Sequence, residues 1–188
     1  MADESYGGTG RVAGRGRPPG TGREGSDPGD REPVTRAAAV VRALADRRQT
    51  LAVAESLTGG LLAATIVDVA GASAVFRGGL VVYATDLKSA LAGVPADLLA
   101  ERGPIDPDVA AALAAGARRR CRADWGLGTT GVAGPDPQHG RPVGEVYVAL
   151  AGADGAEVRP LRLHGGRAAI RSGAVAASLE LLLERLRA

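Results

Sequence analysis

Ser56, Lys88, Tyr83 and Thr130 are the residues of this sequence whose types and surroundings could do chemistry. Ser56 sits in Ala54-Glu55-Ser56-Leu57-Thr58-Gly59-Gly60, after a short apolar run and before a Gly-Gly pair. A serine at a strand-to-helix turn can be a nucleophile. The N–H groups of Thr58, Gly59 and Gly60 would then stabilise an anion at the helix start. Simple helix capping by Ser56 and Thr58 accounts for the same pattern, and both readings stand here. Lys88 is the single lysine among 23 basic residues. A lysine whose pKa is lowered by burial or by a nearby positive charge can take a proton from serine, which an arginine cannot do. The alternative is a solvated lysine on a short helix. Tyr83 lies five residues before Lys88 and could relay or orient a proton, or fill the edge of the core.

A second Gly-containing turn follows Thr129-Thr130, in Gly131-Val132-Ala133-Gly134-Pro135. In open α/β sheets ligands gather at the carboxyl ends of the strands. Parallel neighbouring strands would therefore bring Ser56, Tyr83 and Thr130 to one crevice. Arg77, beside Gly78-Gly79, and Arg167, after Gly165-Gly166, could each hold a phosphate bidentately or form a surface ion pair. His139 and His164 read as solvated, and Cys121 as a packed thiol near a helix end.

Composition excludes several classes. Lys+Arg 23 against Asp+Glu 21 is too balanced to argue for nucleic acid. One cysteine and two histidines leave no internal disulfide, no Cys-rich zinc site and no histidine-based metal centre. Neither Gly-rich turn matches a Walker loop or a GxGxxG fingerprint, so no ATP or dinucleotide cofactor is expected. No apolar run is long enough for a membrane span and no secretory stretch opens the chain, so a cytoplasmic protein is expected.

The elements that must position these residues begin at Val34. Residues 1–33 contain nine Gly and four Pro with almost no large apolar side chain, and are expected to be a disordered tail. A weak RNA or partner contact through residues 11–17 is the alternative to a solvated tail. From there the pattern predicts a helix over 34–48, a buried strand over 50–54, and a helix over 61–69 capped by Thr58. It continues with a strand over 76–84 and short helices over 86–91 and 95–102. A stronger helix follows from 106 to about 122, with a small-residue face of Ala110, Leu113, Ala114 and Ala117. Strands are expected over 125–130, 144–151 and 157–163, the last two as a hairpin, and a helix over 167–187. Alternating strands and helices followed by a hairpin predict a three-layer α/β/α domain over 34–188, with a mixed, mostly parallel sheet.

Taken together, four segments resemble the CinA C-terminal domain family of competence/damage-inducible proteins. They are AESLTGG at 54–60, GASAVFRGGLVVYATDLK at 71–88, LAGVPADLLAERGPIDPDVAAALAAGARRR at 91–120 and TGVAGPDPQHGRPVGEVYVAL at 130–150. The resemblance covers residues 34–188; the larger partner domain of two-domain members is not matched. It implies an α/β/α protein that hydrolyses the carboxamide of nicotinamide mononucleotide to nicotinate mononucleotide and ammonia, using no metal or other cofactor. The family pattern puts the nucleophile on Ser56, its lysine and tyrosine on Lys88 and Tyr83, and its threonine before GxAGP on Thr130. The oxyanion would be held by N–H groups of Thr58 to Gly60 or of Thr130-Gly131. Substrate contacts are expected at Thr58, Gly59, Gly60, Arg77, Thr130, Gly131, Gly134 and Arg167. The expected partners are a small pyridine nucleotide and further copies of the chain, the small-residue helix being compatible with a homo-oligomer. The alternative is a non-catalytic nucleotide-binding or interaction protein of the same family. Two departures stand out. Leu57 replaces a frequent Cys, and Gly166 replaces an Asp that would cap the last helix or contact substrate.

Overall fold

The computed structural model describes residues 28–188, with side chains from residue 34. Its elements run α1 (Pro28–Arg47), β1 (Leu51–Glu55), α2 (Leu61–Val67), a short 3-10 turn (Ala72–Ala74) and β2 (Phe76–Val81). They continue with α3 (Thr85–Ala90), α4 (Ala96–Arg102), α5 (Pro107–Cys121), β3 (Trp125–Gly131), β4 (Glu145–Gly152), β5 (Gly155–Arg162) and α6 (Arg167–Arg187). Every expected helix and strand is present. One boundary moves materially: α1 starts at Pro28, so residues 28–33 belong to a helix rather than to the expected tail. The expectations for residues 1–27 lie outside the described residues.

The sheet order is β2-β1-β3-β4-β5. β1 pairs with β2 and β3 in parallel, and β3-β4-β5 is an antiparallel meander. Four strands therefore point one way and β4 opposes them. The carboxyl ends of β1, β2 and β3 share one edge of the molecule.

β1 is buried along its whole length, as a central strand covered on both faces must be. Leu51 and Val53 face one layer with Leu127, Val146, Val148 and Leu150. That layer is closed by Val40 and Leu44 of α1, Leu62 and Ile66 of α2, and Leu179, Leu182 and Leu186 of α6. Ala52 and Ala54 face the other layer, where Val109, Leu113 and Ala117 of α5 pack. The second layer is built from small residues so that helix and sheet approach closely. A Cβ on Gly126 would come 2.1 Å from the Ala114 carbonyl, and one on Gly128 2.5 Å from that of Ala110. The small-residue face of α5 is thus occupied by its own sheet. It provides no argument for a homo-oligomer.

Two local features lie at the Gly78-Gly79 pair. The Gly78-Gly79 pair marks a register shift: Leu51 pairs with Phe76 but Ala52 with Gly78, which leaves Arg77 as the extra residue of a bulge. At Gly79 a Cβ would meet Val53 Cγ2 at 2.9 Å, so this glycine serves packing rather than a ligand.

Gly126→Ala should lower stability by ~1–3 kcal/mol, the usual range for overpacking. Urea denaturation would show this as a lower midpoint with an unchanged slope.

Candidate functional site

Glu55 builds the turn that carries Ser56. Its carboxylate is fully buried and accepts from three backbone N–H groups: Gly60 at 3.0 Å, Leu62 at 3.0 Å and Ala63 at 2.8 Å. These are N–H groups that the start of α2 would otherwise leave without partners. The chain can reverse this tightly because Gly59 (φ 57°) and Gly60 (φ 94°) adopt left-handed backbone. Thr58 does not cap the helix, contrary to expectation. The N-cap is Gly60, and the Thr58 hydroxyl is instead 2.8 Å from that of Thr129 on β3, both residues being fully buried.

These bonds decide which N–H groups remain for an anion. Gly59 N–H donates to the Ser56 carbonyl and Gly60 N–H to Glu55, so neither can hold an oxyanion. Leu57 and Thr58 N–H donate to no partner among the described residues. Of the expected donors Thr58 to Gly60, the two glycines are engaged and Thr58 is fully buried, whereas Leu57 lines the cleft. The N–H of the residue after a serine nucleophile is a recurrent oxyanion donor.

Ser56 opens onto a cleft lined also by Leu57, Tyr83, Thr85, Lys88, Pro104, Ile105, Thr130, Gly131, Ala133, Gln138, His139 and Arg167. The three strand ends singled out from the sequence do meet there. The enclosed part is about 70 Å³, room for several waters at ~10–15 Å³ each. A flat reacting group fits inside it, and the rest of a larger ligand must lie across the open rim.

Lys88 is 1% exposed. It stands on α3, and its Nζ donates to the carbonyls of Val82 at 2.9 Å and Tyr83 at 3.1 Å. Burial pushes its pKa down to about 8, and the nearby Asp86 carboxylate offsets only part of that. The other candidate side chains are held as follows. The Thr130 hydroxyl donates to the Pro104 carbonyl at 2.6 Å. The Tyr83 ring is exposed at the rim, and its hydroxyl accepts from Arg167 at 3.0 Å. Arg167 also donates to the Gly134 carbonyl at 2.8 Å, so Gly134 anchors this arginine rather than lining the cleft. Gly131 (φ 154°) must be glycine, because a Cβ would come 2.6 Å from the Glu145 carbonyl.

Arg77 is displaced from the site. It lies in the bulge at the amino end of β2, where its Nε donates to the Cys121 carbonyl at 3.1 Å. A rise of ~3.3 Å per residue puts it on the order of 15 Å from the cleft end of that strand. Thr58, Gly59 and Gly60 shape the turn but do not line the cleft.

Four contributors escaped the sequence reading. Glu55 and Arg171 hold the nucleophile turn. Gln138 and His139 sit on a small hairpin closed by the Gln138–Arg141 bridge, so His139, expected to be merely solvated, faces the cleft. The hairpin's Arg141 donates to Glu145 at 3.1 Å. Burial pushes the Glu145 carboxyl up, but hydrogen bonds from Arg162 and Tyr147 and the charges of Arg162 and Arg141 hold it below the ordinary range. No group of three His, Cys, Asp or Glu side chains among the described residues could hold a metal. No helix among them is long and apolar enough to cross a membrane.

The model of the CinA C-terminal domain matches residues 34–186. The chain belongs to the CinA C-terminal domain family. A CinA-like protein of Frankia casuarinae is 52% identical over 147 residues, which is 78% of this chain and 34% of that one. A CinA-like protein of Geobacter sulfurreducens is 49% identical over 149 residues, 79% of this chain and 36% of that one. The chain thus spans about a third of the length of these relatives. Among solved structures, the competence/damage-inducible protein CihA of Agrobacterium tumefaciens superposes with a TM-score of 0.78 at 32% identity, covering 84% of this chain and 96% of that one. A CinA superfamily protein of Klebsiella pneumoniae gives 0.80 at 29%, covering 82% and 98%. The mixed α/β architecture is therefore that of the CinA superfamily.

Glu55→Gln removes one of the two carboxylate oxygens that take up the α2 N–H groups. It should destabilise the domain by ~1–2 kcal/mol, read as a lower midpoint in chemical denaturation.

Proposed function

We propose that this CinA domain hydrolyses the carboxamide of nicotinamide mononucleotide to nicotinate mononucleotide and ammonia, with Ser56 as nucleophile and Lys88 as general base. The observation that carries the reading is the state of Lys88: the chain's only side-chain amine is buried in the same cleft as Ser56, with its pKa lowered to about 8. At pH 7 about one such lysine in ten is neutral, against roughly one in a few thousand for an ordinary lysine.

The steps follow from the groups present. Ser56 Oγ attacks the amide carbon as Lys88 Nζ takes its proton. Leu57 N–H stabilises the oxyanion, such a donor typically being worth about 3 kcal/mol. Collapse breaks the C–N bond, and Lys88 returns the proton to the departing ammonia. Water, deprotonated by Lys88, then attacks the acyl ester, and the proton passes back to Ser56 as the acid is released. The Lys88 bonds to the Val82 and Tyr83 carbonyls fix the amine in place. Tyr83 acts in this scheme through its backbone carbonyl and as the support of Arg167. Arg167 stands at the rim, where a nucleotide phosphate would lie, next to an α6 start at Gly166 that no side chain caps. Free N–H groups at a helix start favour an anion.

Ammonia release from nicotinamide mononucleotide should rise with pH through about 8, and Lys88→Met should abolish it. Burial lowers the folded pKa below the unfolded one, so between about 8 and ~10.4 the unfolded chain binds more protons and stability rises with pH. Lys88→Met removes this dependence and should not destabilise the fold at pH 7, where the charged lysine costs on the order of 3 kcal/mol. Binding of the nucleotide without turnover by wild type would instead establish the non-catalytic reading.

A further inference from the structure

Between β3 and β4, residues 135–141 form an excursion that carries part of the cleft wall. Gln138 N–H donates to the Arg141 carbonyl at 3.1 Å, and Arg141 N–H to the Gln138 carbonyl at 2.8 Å. His139 (φ 50°) and Gly140 (φ 72°) make the reversal, both left-handed as a two-residue hairpin turn requires. Gln138 and His139 are exposed and both line the cleft, so they stand on its open rim. Among the described residues, only the Arg141 side chain joins this segment to the rest of the domain by a hydrogen bond or ion pair. Its Nη1 lies 3.1 Å from Glu145 Oε1 and its Nη2 3.9 Å from Asp106 Oδ2. Both acidic residues are buried and have partners of their own. The Tyr147 hydroxyl donates to Glu145 at 2.7 Å, as does Arg162, and Asp106 accepts from Asp108 N–H at 2.9 Å at the start of α5.

We propose that Arg141 is a positioning residue: by docking the hairpin onto Glu145 and Asp106 it holds Gln138 and His139 on the cleft rim, where their side chains contact the ribose and phosphate of the nucleotide. The enclosed part of the cleft takes only the flat reacting group, so the remainder of the ligand passes over the rim. The Gln138 amide and the His139 imidazole each carry a donor and an acceptor, which suits hydroxyl and phosphate oxygens. Asp106 directly follows Ile105, itself a cleft residue, so one guanidinium spans two stretches of the wall. Its planar fork can face two carboxylates at once, which a lysine does less well. Without this tether the ligand must order the hairpin as it binds, and that cost falls on affinity rather than on the chemical step. The proposal deepens the amidase reading and rests on it for the identity of the ligand.

The test uses the full chain and two readouts: steady-state ammonia release from nicotinamide mononucleotide, and deuterium uptake over residues 135–142 without ligand. The variants are Arg141→Met, Arg141→Lys, Arg162→Met and the pair Gln138→Ala with His139→Gly, in which glycine keeps the turn and only the side chains are lost. Arg141→Met should raise KM on the order of tenfold, with kcat within about twofold and the pH at which activity rises unmoved. The paired variant should do the same. Adding Arg141→Met to that pair should raise KM by less than about a further twofold, because both changes remove one contact. Arg141→Lys should recover part of the loss. Arg162→Met takes away a different partner of Glu145 and should leave KM unchanged. Deuterium uptake should be faster in Arg141→Met. An unchanged KM in Arg141→Met or in the paired variant, a loss confined to kcat, additive losses on combining them, or an equal KM rise in Arg162→Met would overturn the proposal. Should Arg141→Met not fold, Arg141→Gln replaces it under the same criteria. If wild type releases no ammonia, the amidase reading fails and deuterium uptake judges Arg141 separately. Faster exchange in Arg141→Met then supports the tether, and equal exchange overturns it.

Discussion

A buried carboxylate with no ion-pair partner among the described residues organises the site. Glu55 ends the central strand, and its charge is met by the N–H groups at the start of α2 instead of by a salt bridge. Burying a carboxylate is tolerable only with such hydrogen bonding. The arrangement therefore dictates the path of the chain as far as Ala63: Ser56 at the point where strand gives way to turn, two left-handed glycines and the first residues of α2. The Thr58–Thr129 contact then ties that turn to β3, and Arg171 ties it to α6. A serine held from three directions leaves little freedom for its backbone.

Lys88 shows the opposite use of burial. The Glu55 carboxylate is met by three backbone donors, whereas Lys88 has only two carbonyl acceptors and partial help from Asp86. An amine so poorly compensated has its charged form weakened, and that makes it chemically useful. The same fold thus gives its two buried side chains different partners in number and kind.

The architecture was readable because its signals are periodic. Apolar alternation marks the strands, 3.6-residue spacing marks the helices, and the turn residues separate them. Ser56, Thr130 and Arg167 stand at or beside element ends and Lys88 is the single lysine, and these local signals picked out four residues that line one cleft. Arg77 misled for a physical reason: an arginine beside two glycines could hold a phosphate, but strand direction puts it at the wrong end of the sheet, and Gly79 serves packing against Val53. Arg171 carried no local signal, being one arginine on a helix with its partners more than 100 residues away. Glu55 left a faint one, a carboxylate at a strand end before a helix whose N-cap is glycine. Gln138 and His139 depend on a hairpin bridge that polar loop sequence does not reveal.

The single buried lysine also sets how this protein meets electrophiles. Its surface carries positive charge as guanidinium groups, which resist acylation at neutral pH. Apart from the α-amine, the only primary amine in the sequence is inside the cleft, 1% exposed and with its pKa lowered to about 8. An acyl donor in solution finds no side-chain amine on the outside. One small enough to enter meets that nitrogen in the cleft that Ser56 also lines. Covalent amine chemistry on the side chains of this domain is thereby funnelled to one atom, and whatever modifies that atom reports on access to the cleft.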